Sequence, residues 1–591
     1  MYADFETTGL VHDPDAHVAL ACWVIDGQRK HSWIQQEGWG RFATDLFACG
    51  QLTAHSSFEI DWLLRDEVIT PAQLATLQNY DTMLAEWVLC GKREGLNLDA
   101  LCARYNLPGK LPFSKLQIKR RVSPYDMHKA VEYCFVDCER LVPIRAKQEK
   151  LIAERGLGHL VDQRNRVAKA LACMNRDPLY LRPDVVFAKY EEVETARQAA
   201  DDVLSKYDCN MNSPKQLAKL LFEDLGFSIP EVKGKKILTA TGTPKTDEAT
   251  LNLLVPKTEE QEQFIKNYFA RNKLNSLLTK YLRYFYVVCK EHDCAVYGEI
   301  SQGRTVTHRL ASAGRSVKDG KKTRGCQLQN IPRELKYMFG SPVEDWVDVD
   351  ADFAQLEFVG ACDLSGDQNA LHDIVTGDKD KGTDPHSVTA RKLTDWGEPT
   401  ERQDAKSTTF TRLYGGFGKT PAQKKYVKWF SERYKVIENM QRNWTMKVVS
   451  SPDKCLVTPY GMRFYFPEAN ISSTGYVSGS TQIYNYPIQG FCTGEIVPIA
   501  LYLVWKRLLG CEEWVTLENT VHDSIKLRCK RDRLPELVEI LKECMLEQTV
   551  EYLKTEYNYE FKTPLTIEIA AGRYWGDKSV LEEIHTYEQV S

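Results

Sequence analysis

The sequence predicts an α/β protein of several domains. Its 591 residues are too many for one hydrophobic core and indicate roughly three or four domains. Apolar and acidic residues alternate from Trp346 to Ala351, which predicts a strand. Cations and aromatic residues recur every four positions between Arg402 and Tyr414, which predicts a long helix. Both kinds of element therefore contribute to the fold.

The composition indicates free thiols and no membrane anchor. The formal net charge of −4 cannot decide nucleic-acid binding, because a locally positive groove can adjoin acidic metal sites. The 17 cysteines are an odd number without paired CxxC motifs, which favours reduced thiols over disulfides or a zinc clamp. No apolar run approaches the roughly 20 residues of a membrane helix, and no signal-peptide pattern opens the chain. We expect a cytoplasmic protein that does not bind membranes.

The predicted helix near position 400 is the most informative segment. It carries two cations and then two aromatic residues at four-residue steps: Arg402, Lys406, Phe410 and Tyr414. Such steps keep side chains on one helix face, where one end can bind polyphosphate and the other a flat base. A capping box of Thr400 and Gln403 predicts the helix start, and Gly415 predicts its end. Alone, the same pattern fits a solvated basic face beside two core aromatics equally well.

Two further motifs lie on either side of this helix. They are Asp352-Phe353-Ala354-Gln355-Leu356-Glu357 before it and Val521-His522-Asp523-Ser524 after it. The second motif is predicted on a hairpin, with its turn between Leu517 and Val521. Taken together, the three segments resemble motifs A, B and C of the family A DNA polymerases in order and separation. The resemblance implies a right-hand polymerase with palm, fingers and thumb.

The N-terminal segment carries a second set of acids. Asp4 and Glu6 lie two residues apart on a predicted strand and can share a divalent ion. With His55 to Asp61 and the pair Tyr133 and Asp137, they resemble the three motifs of a tyrosine-bearing DEDD 3′-5′ exonuclease. The resemblance implies an RNase H-like proofreading domain in which Tyr133 orients the attacking water. Its two metal ions would be held by Asp4, Glu6, Glu59 and Asp137.

The second exonuclease motif departs from the family pattern. His55 stands where the family usually has Asn, and Glu59 stands where it usually has Asp. Asp61 would be the ligand if the local register differed, but we favour Glu59. The departure leaves open a polymerase whose exonuclease is inactive.

The resemblance also assigns the polymerase residues. Periodicity alone puts Asp348, Asp350 and Asp352 on one face, and the resemblance selects Asp352, with Asp523, to hold two Mg²⁺ ions that Mn²⁺ could replace. Lys406 becomes a candidate proton donor to pyrophosphate. The resemblance implies that the nucleotide is bound by His386, Arg402, Lys406, Phe410, Tyr414, Gln355 and Glu357. In the family, the Glu357 position excludes a ribose hydroxyl, and Phe at position 410 implies discrimination against dideoxynucleotides.

Other segments resemble family regions that contact primer and template. The residues assigned to DNA binding are Arg309, Gln329, Asn330, Asn485, Gln489 and His522. A basic stretch from Phe264 to Tyr286 predicts a long helix that contacts DNA phosphates without sequence preference. A helix capped by Ser213 is predicted before it.

The expected order is exonuclease 1–150, thumb 151–300, palm 301–375, fingers 376–440 and the second part of the palm 441–591. No 5′-nuclease domain is expected before Asp4, a layout that resembles bacteriophage replicative polymerases. We therefore expect a monomer that acts on primer–template DNA and deoxynucleoside triphosphates, in the host-cell cytoplasm if viral. The alternatives are a single-subunit RNA polymerase and a non-catalytic DNA-binding scaffold. Processivity partners are not predicted.

Overall fold

The computed structural model describes residues 1–587 except positions 14, 56, 92–94, 110, 112–123, 233, 320 and 324. The N-terminal domain contains strands β1 (Tyr2–Thr7), β2 (Val18–Ile25), β3 (Gln28–Trp33), β4 (Gln51–Ala54) and β5 (Gln78–Asp81). They form one sheet in the order β3-β2-β1-β4-β5, in which β1 runs antiparallel to β2 and parallel to β4. Its helices are α1 (Ile34–Glu37), α2 (Gly40–Cys49), α3 (Phe58–Arg65), α4 (Pro71–Thr76), α5 (Thr82–Cys90), α6 (Leu98–Arg104) and α7 (Pro124–Arg155).

The middle of the chain is mostly helical. Its helices are α8 (Gly158–Met174), α9 (Pro183–Leu204), α10 (Pro214–Lys219), α11 (Glu248–Leu251), α12 (Glu259–Leu277), α13 (Arg283–Glu291) and α14 (Arg333–Lys336). Short strands form two-stranded pairs: β6 (Leu179–Tyr180) with β9 (Ala295–Val296), β7 (Glu231–Val232) with β8 (Lys235–Lys236), β10 (Gly298–Ser301) with β11 (Ala311–Gly314), and β12 (Val317–Asp319) with β13 (Lys321–Thr323).

Two predictions for this region are confirmed. The Ser213 hydroxyl caps α10 by accepting from the Gln216 N–H. Helix α12, a π-helical segment at Leu278–Leu282 and α13 follow one another directly, as the basic stretch predicted.

The C-terminal part surrounds a second sheet. Its strands are β14 (Trp346–Phe353), β15 (Cys455–Val457), β16 (Arg463–Tyr465), β17 (Val515–Val521), β18 (Ser524–Lys530), β19 (Leu565–Gly572) and β20 (Leu581–Tyr587). Its helices are α15 (Leu356–Ser365), α16 (Gln368–Thr376), α17 (Pro385–Asp395), α18 (Arg402–Thr409), α19 (Pro421–Arg433), α20 (Lys435–Ser450), α21 (Ser480–Gln489), α22 (Val497–Arg507), α23 (Leu534–Lys542) and α24 (Gln548–Tyr557). The antiparallel sheet has the order β17-β18-β14-β19-β20, so β14 is central.

Strand β14 shows the alternation that the sequence predicted. Val347, Val349 and Ala351 are completely buried on one face. On the other face, Lys526 forms an ion pair with Asp348, and the Trp575 indole donates to Asp350 at 3.1 Å. Asp348 and Asp350 therefore each have a side-chain partner within the protein, whereas Asp352 lies near the end of the strand.

One helical segment of the described residues, Ser480–Arg507, is long and apolar enough to span a bilayer by length and composition. Polar residues interrupt its apolar run, so the sequence pattern did not indicate it. Within the structure, 83% of its most apolar window is buried. It is therefore built as a core helix.

A buried ion pair joins α8 to the segment between α21 and α22. The Arg164 guanidinium donates twice to the Glu495 carboxylate, once at 2.9 Å, and the Tyr557 hydroxyl donates to it at 2.6 Å. Arg164 and Glu495 are both inaccessible to solvent. Such a pair is costly to break because the remaining charge stays buried.

We expect Glu495→Ala to lower the free energy of unfolding by about 3–5 kcal/mol, because it leaves Arg164 charged and buried. Denaturant unfolding followed by circular dichroism measures this loss. The matched control is Glu432→Ala, which removes an exposed pair with Lys428 at 3.8 Å and should change stability by less than about 1 kcal/mol. Equal effects of the two substitutions would contradict the expectation.

Candidate active sites

The end of β14 and the turn between β17 and β18 bring the two predicted catalytic acids together. Asp352 pairs in register with Ser524, and the Phe353 N–H donates to the Asp523 carbonyl at 3.1 Å. Asp352 and Asp523 are therefore neighbours at one edge of the sheet, although 170 positions separate them. Antiparallel pairing of motif A with motif C creates this arrangement.

Burial and mutual repulsion make this edge unfavourable for uncompensated negative charge. Burial raises the pKa of Asp352 well above its usual value, and the carboxylates of Asp350 and Asp523 raise it further. Burial also raises the pKa of Asp523 to about 6, while the Arg309 guanidinium lowers it. A cation between these acids would relieve the repulsion.

The turn that carries Asp523 lies later than the sequence predicted. β17 continues to Val521, and His522 and Asp523 form the turn itself, with His522 exposed and at a φ of 60°. Glu518 and Asn519, which lie within the predicted turn, are both buried in the strand, where Glu518 contacts Arg528 at 3.3 Å. Antiparallel pairing of β17 with β18 continues to Val521 and Ser524, which places the turn at His522 and Asp523.

The predicted nucleotide-binding helix is shorter than expected. α18 ends at Thr409, so Phe410 lies at its C-cap and Tyr414 in the following turn. The predicted capping box is wrong: Glu401 precedes the helix, and the Thr400 hydroxyl donates to the Glu398 carbonyl at 2.7 Å. Threonines near the helix end, which have low helix propensity, favour the early termination.

The predicted phosphate-binding end of α18 is positive and partly buried. Arg402 donates to the Asp384 carboxylate at 3.0 and 3.3 Å, which fixes its guanidinium. Burial lowers the pKa of Lys406, and the positive charges of Arg402 and Arg333 lower it further. Lys406 is thereby prepared to release a proton more readily than an exposed lysine.

His386 contacts the C-terminal end of α18. Its Nδ1 lies 3.0 Å from the Thr409 hydroxyl, and its ring packs edge-on against Phe410 at 5.5 Å between centroids. Burial lowers the pKa of His386 to about 4, so the ring is neutral at pH 7. Phe410 also stacks on Phe358, with centroids 5.2 Å apart.

The other end of the site combines Tyr414 and Glu357. The Tyr414 hydroxyl donates to the Glu357 carboxylate, which ties the turn after α18 to the first turn of α15. Gln355 precedes α15 at a φ of 52°, and its buried Oε1 has no hydrogen-bond partner among the described residues. Burial raises the pKa of Glu357 to about 7, Asp523 raises it further and Arg309 opposes the shift.

We expect Glu357→Gln to stabilise the protein at pH 8 but not at pH 4. The pKa of Glu357 rises from an ordinary 4.5 to about 7 on folding, so the unfolded state releases this proton first. Wild-type stability therefore falls as pH rises from about 4.5 to about 7, by on the order of 2 kcal/mol, and the variant lacks this loss. Melting temperatures of both proteins across this range measure it. A difference that does not change with pH would contradict the assignment.

The residues predicted to contact primer and template lie on several elements. Arg309 lies close enough to Glu357 and Asp523 to shift their pKa values. Gln329 donates to the Thr520 carbonyl of β17 at 3.1 Å, and the Asn330 carbonyl accepts from the Tyr281 hydroxyl at 2.8 Å. Asn485 and Gln489 lie one turn apart on α21. The buried Oδ1 of Asn485 has no hydrogen-bond partner among the described residues.

Four predicted acids of the N-terminal domain also converge. Burial raises the pKa of Asp4 well above its usual value, and the charges of Glu6, Glu59 and Asp137 contribute to the shift. Strand β1, helix α3 and helix α7 carry these four acids, which lie close enough for their charges to affect Asp4. Tyr133 lies one helical turn before Asp137 on α7 and is buried.

Glu59 and Asp61 face different neighbours. The charge of Glu59 raises the pKa of Asp4. Burial raises the pKa of Asp61 to about 7, and the charge of Arg315 opposes that shift. The placement favours Glu59 as the member of the acidic site.

Sequence reasoning missed partners that hold both sites. Asp384 fixes Arg402, and the Arg140 guanidinium forms an ion pair with Asp137 at 3.0 Å. The Cys134 thiol donates to the Asp4 carboxylate at 3.3 Å. The three-residue spacing of Asp137 and Arg140 on one helix could have indicated their pair. The other two contacts depend on long-range packing and leave no local signal.

No group of three or more His, Cys, Asp or Glu side chains is arranged as a ready-made metal site within the described part of the chain. The two polymerase acids nevertheless suit Mg²⁺, which often binds through one or two carboxylates and completes its shell with water and substrate phosphates. The donor chemistry therefore fits a magnesium ion that binds together with substrate.

The sequence model of DNA polymerase family A matches residues 188–577. The chain is 25% identical over 566 residues to DNA polymerase I of Pseudomonas aeruginosa, which covers 88% of this chain and 56% of that protein. It is 26% identical over 543 residues to DNA polymerase I of a Synechocystis species, covering 84% and 50%. The chain thus spans about half the length of these curated relatives.

A solved structure has a similar fold. The POL domain of Pol1 from M. smegmatis, in complex with DNA primer-template and dNTP, superposes with a TM-score of 0.75 at 20% sequence identity. The superposition covers 98% of this chain and 96% of that one. The family match extends over more than half of the chain and includes motifs A, B and C. The chain therefore belongs to DNA polymerase family A.

Proposed function

We propose that this chain is a template-directed DNA polymerase that adds deoxynucleotides to a primer 3′ end. The observation that carries the proposal is the meeting of Asp352 and Asp523 at the end of the central sheet. Family membership and the fold shared with a polymerase domain support it. Its biological role would be DNA replication.

The chemistry requires a divalent cation that this pair of carboxylates would hold. Bound Mg²⁺ would supply a Lewis acid for the primer 3′-hydroxyl and the α-phosphate. Asp352 and Asp523 would bind the ion with their carboxylate oxygens, and Mn²⁺ could replace it. The raised pKa values of both acids support this assignment, because a nearby cation would favour their charged forms.

The residues of α18 would position the triphosphate. Arg402 would contact phosphate oxygens while Asp384 keeps its guanidinium in place. Lys406, whose pKa is lowered, would donate a proton to the leaving pyrophosphate. Phe410 would stack on the incoming base, with Tyr414 beside the templating position. Neutral His386 would donate a hydrogen bond to the phosphates.

We infer that Glu357 excludes ribonucleotides. Its carboxylate is fixed by the Tyr414 hydroxyl, which would close the space beside the sugar 2′ carbon. We expect Glu357→Ala to raise the relative use of ribonucleotides by about 10²-fold, because the space opens for the 2′-hydroxyl. Competition between a ribonucleotide and its deoxynucleotide in single-nucleotide incorporation measures this ratio. Unchanged discrimination would overturn the assignment.

We also propose a 3′-5′ proofreading exonuclease in the N-terminal domain. The convergence of Asp4, Glu6, Glu59 and Asp137 supports it, and Tyr133 would orient the attacking water. These four acids would hold two metal ions that activate water against the terminal phosphate. His55, where the family usually has Asn, lies 2.9 Å from the Thr82 hydroxyl through its Nδ1. A polymerase with an inactive exonuclease is the alternative.

Other parts of the proposal rest on the sequence alone. They are a monomeric state, a bacteriophage origin and a place in the cytoplasm, which is that of the host cell if the protein is viral. The relatives compared above are DNA polymerases I of bacteria and not of bacteriophages. A hydrodynamic measurement of mass would test the first of these statements directly.

A labelled primer–template incubated with Mg²⁺ tests both activities. Extension with deoxynucleotides and shortening without them are the expected results. Extension without shortening would leave the polymerase and reject the exonuclease. If the protein neither extends nor shortens the primer, the result favours a DNA-binding scaffold.

A further inference from the structure

Trp87, on α5 of the N-terminal domain, is completely buried against a turn that belongs to the polymerase region. Its indole N–H donates to the Thr305 carbonyl at 3.1 Å. Its ring stacks on His308, with centroids 4.0 Å apart and an interplanar angle of 18°. Trp87 of the N-terminal domain thus contacts both Thr305 and His308, which lie in one short turn of the polymerase region.

The turn adopts a conformation that needs this support. His308 has a φ of 62°, a left-handed conformation that is strained for a non-glycine residue, and its side chain is 1% exposed. The backbone at Thr307 packs closely on Gly494, where an added Cβ would lie 2.9 Å from the Thr307 carbonyl oxygen. Packing on both sides therefore fixes a backbone that would otherwise relax.

The buried ion pair of Arg164 and Glu495 lies beside the stacked rings of Trp87 and His308. An Arg164 amino nitrogen lies 3.4 Å from His308 Nδ1, and its guanidinium carbon lies 5.6 Å from the centroid of the Trp87 ring. Burial and the charge of Arg164 hold the pKa of His308 well below its usual value. The stacked imidazole is therefore neutral, which removes the cost of placing a second cation beside Arg164.

The same turn leads directly into the polymerase site. The Thr305 hydroxyl donates to the Arg309 carbonyl at 2.8 Å, which closes the turn. Arg309 follows His308 in the chain, and its guanidinium lowers the pKa values of Glu357 and Asp523. The position of Arg309 relative to these two acids thus depends on the turn that Trp87 holds.

We propose that Trp87 of the N-terminal domain is a positioning residue for nucleotide addition, because it holds the turn from Thr305 to Arg309 and so keeps Arg309 against Glu357 and Asp523. This inference rests on the proposed polymerase function. The N-terminal domain then contributes to the polymerase reaction itself, in addition to its own acidic site. A displacement of about 1 Å in a positioned group can lower a rate by about 10²-fold.

The test is steady-state single-nucleotide incorporation by the full chain. We expect Trp87→Ala to lower kcat/KM for the nucleotide by about 10- to 100-fold. Trp87→Phe keeps an aromatic ring on His308 but loses the indole N–H and part of the ring volume, so we expect a loss of about fivefold. Recovery of most of the activity by Phe would show that the ring on His308 contributes more than the indole N–H.

A matched control separates positioning from stability. Trp62 is also completely buried in the N-terminal domain, but it packs in the core around β1 and not on the 305–309 turn. Trp62→Ala should destabilise the domain as Trp87→Ala does, and it should leave kcat/KM within about twofold of wild type at a temperature where circular dichroism shows folded protein. Equal losses of kcat/KM in the two variants would overturn the proposal.

A double-mutant cycle with Arg309→Ala tests the route of the effect. If Trp87 acts through Arg309, Trp87→Phe lowers kcat/KM in the wild-type background and has no further effect in Arg309→Ala. Multiplied effects, or full activity of folded Trp87→Ala and Trp87→Phe, would overturn the proposal. Failure of the proposed function is distinguishable, because wild type itself would then incorporate no nucleotide.

Discussion

Asp352→Asn is expected to lower primer extension by about 10³-fold or more and to leave 3′-5′ degradation unchanged. The substitution keeps the size of the side chain and removes the negative charge that would hold a divalent cation beside Asp523. Loss of several kcal/mol of transition-state stabilisation corresponds to such a factor. Gel analysis of labelled primers with and without deoxynucleotides measures both activities on one substrate.

Asp350→Asn is the matched control for this prediction. Asp350 lies on the same face of β14, but it accepts a hydrogen bond from the Trp575 indole, which an asparagine oxygen can also accept. We expect its extension rate to remain within about tenfold of wild type. If Asp350→Asn abolished extension and Asp352→Asn did not, the choice between the two acids would be wrong.

Glu59→Gln is expected to abolish 3′-5′ degradation and to leave extension intact. Glu59 shares the buried acidic site with Asp4, and its Oε2 has no hydrogen-bond partner among the described residues. We expect a loss of about 10²- to 10³-fold, because one ligand of a two-metal site is removed at constant side-chain size. Asp4→Asn should have the same effect. Shortening of a labelled single strand measures it.

Asp61→Asn is the corresponding control, because Asp61 faces Arg315 and not Asp4. Its degradation rate should stay within about tenfold of wild type. Loss of degradation in Asp61→Asn with full activity in Glu59→Gln would show that the sequence register of this motif differs from our assignment.

Hydrophobic alternation and helix-capping residues predicted the strands and helices whose positions are set by neighbouring residues in the chain. The alternation around Val347 and Val349 located β14, and Ser213 located the start of α10. The order of motifs A, B and C indicated the family, and the match over residues 188–577 confirmed it. Periodicity could not choose among Asp348, Asp350 and Asp352, because all three lie on one face of the strand.

Long-range contacts decided the features that the sequence did not predict. The turn predicted between Leu517 and Val521 lies instead at His522, because β17 pairs with β18 as far as Val521. Helix α18 ends before Phe410, whose ring packs on Phe358 from another helix. The contact between Trp87 and His308 joins parts of the chain more than 200 positions apart. No local sequence signal reports such contacts.

Single-nucleotide incorporation on four templates tests the central proposal most directly. The templates differ only in the base opposite the next position, and each is offered every deoxynucleoside triphosphate in turn with Mg²⁺ and wild-type protein. Template-directed synthesis predicts that each template selects its complementary nucleotide. Incorporation that ignores the template, or no incorporation on any template, would contradict the assignment of this chain as a template-directed DNA polymerase.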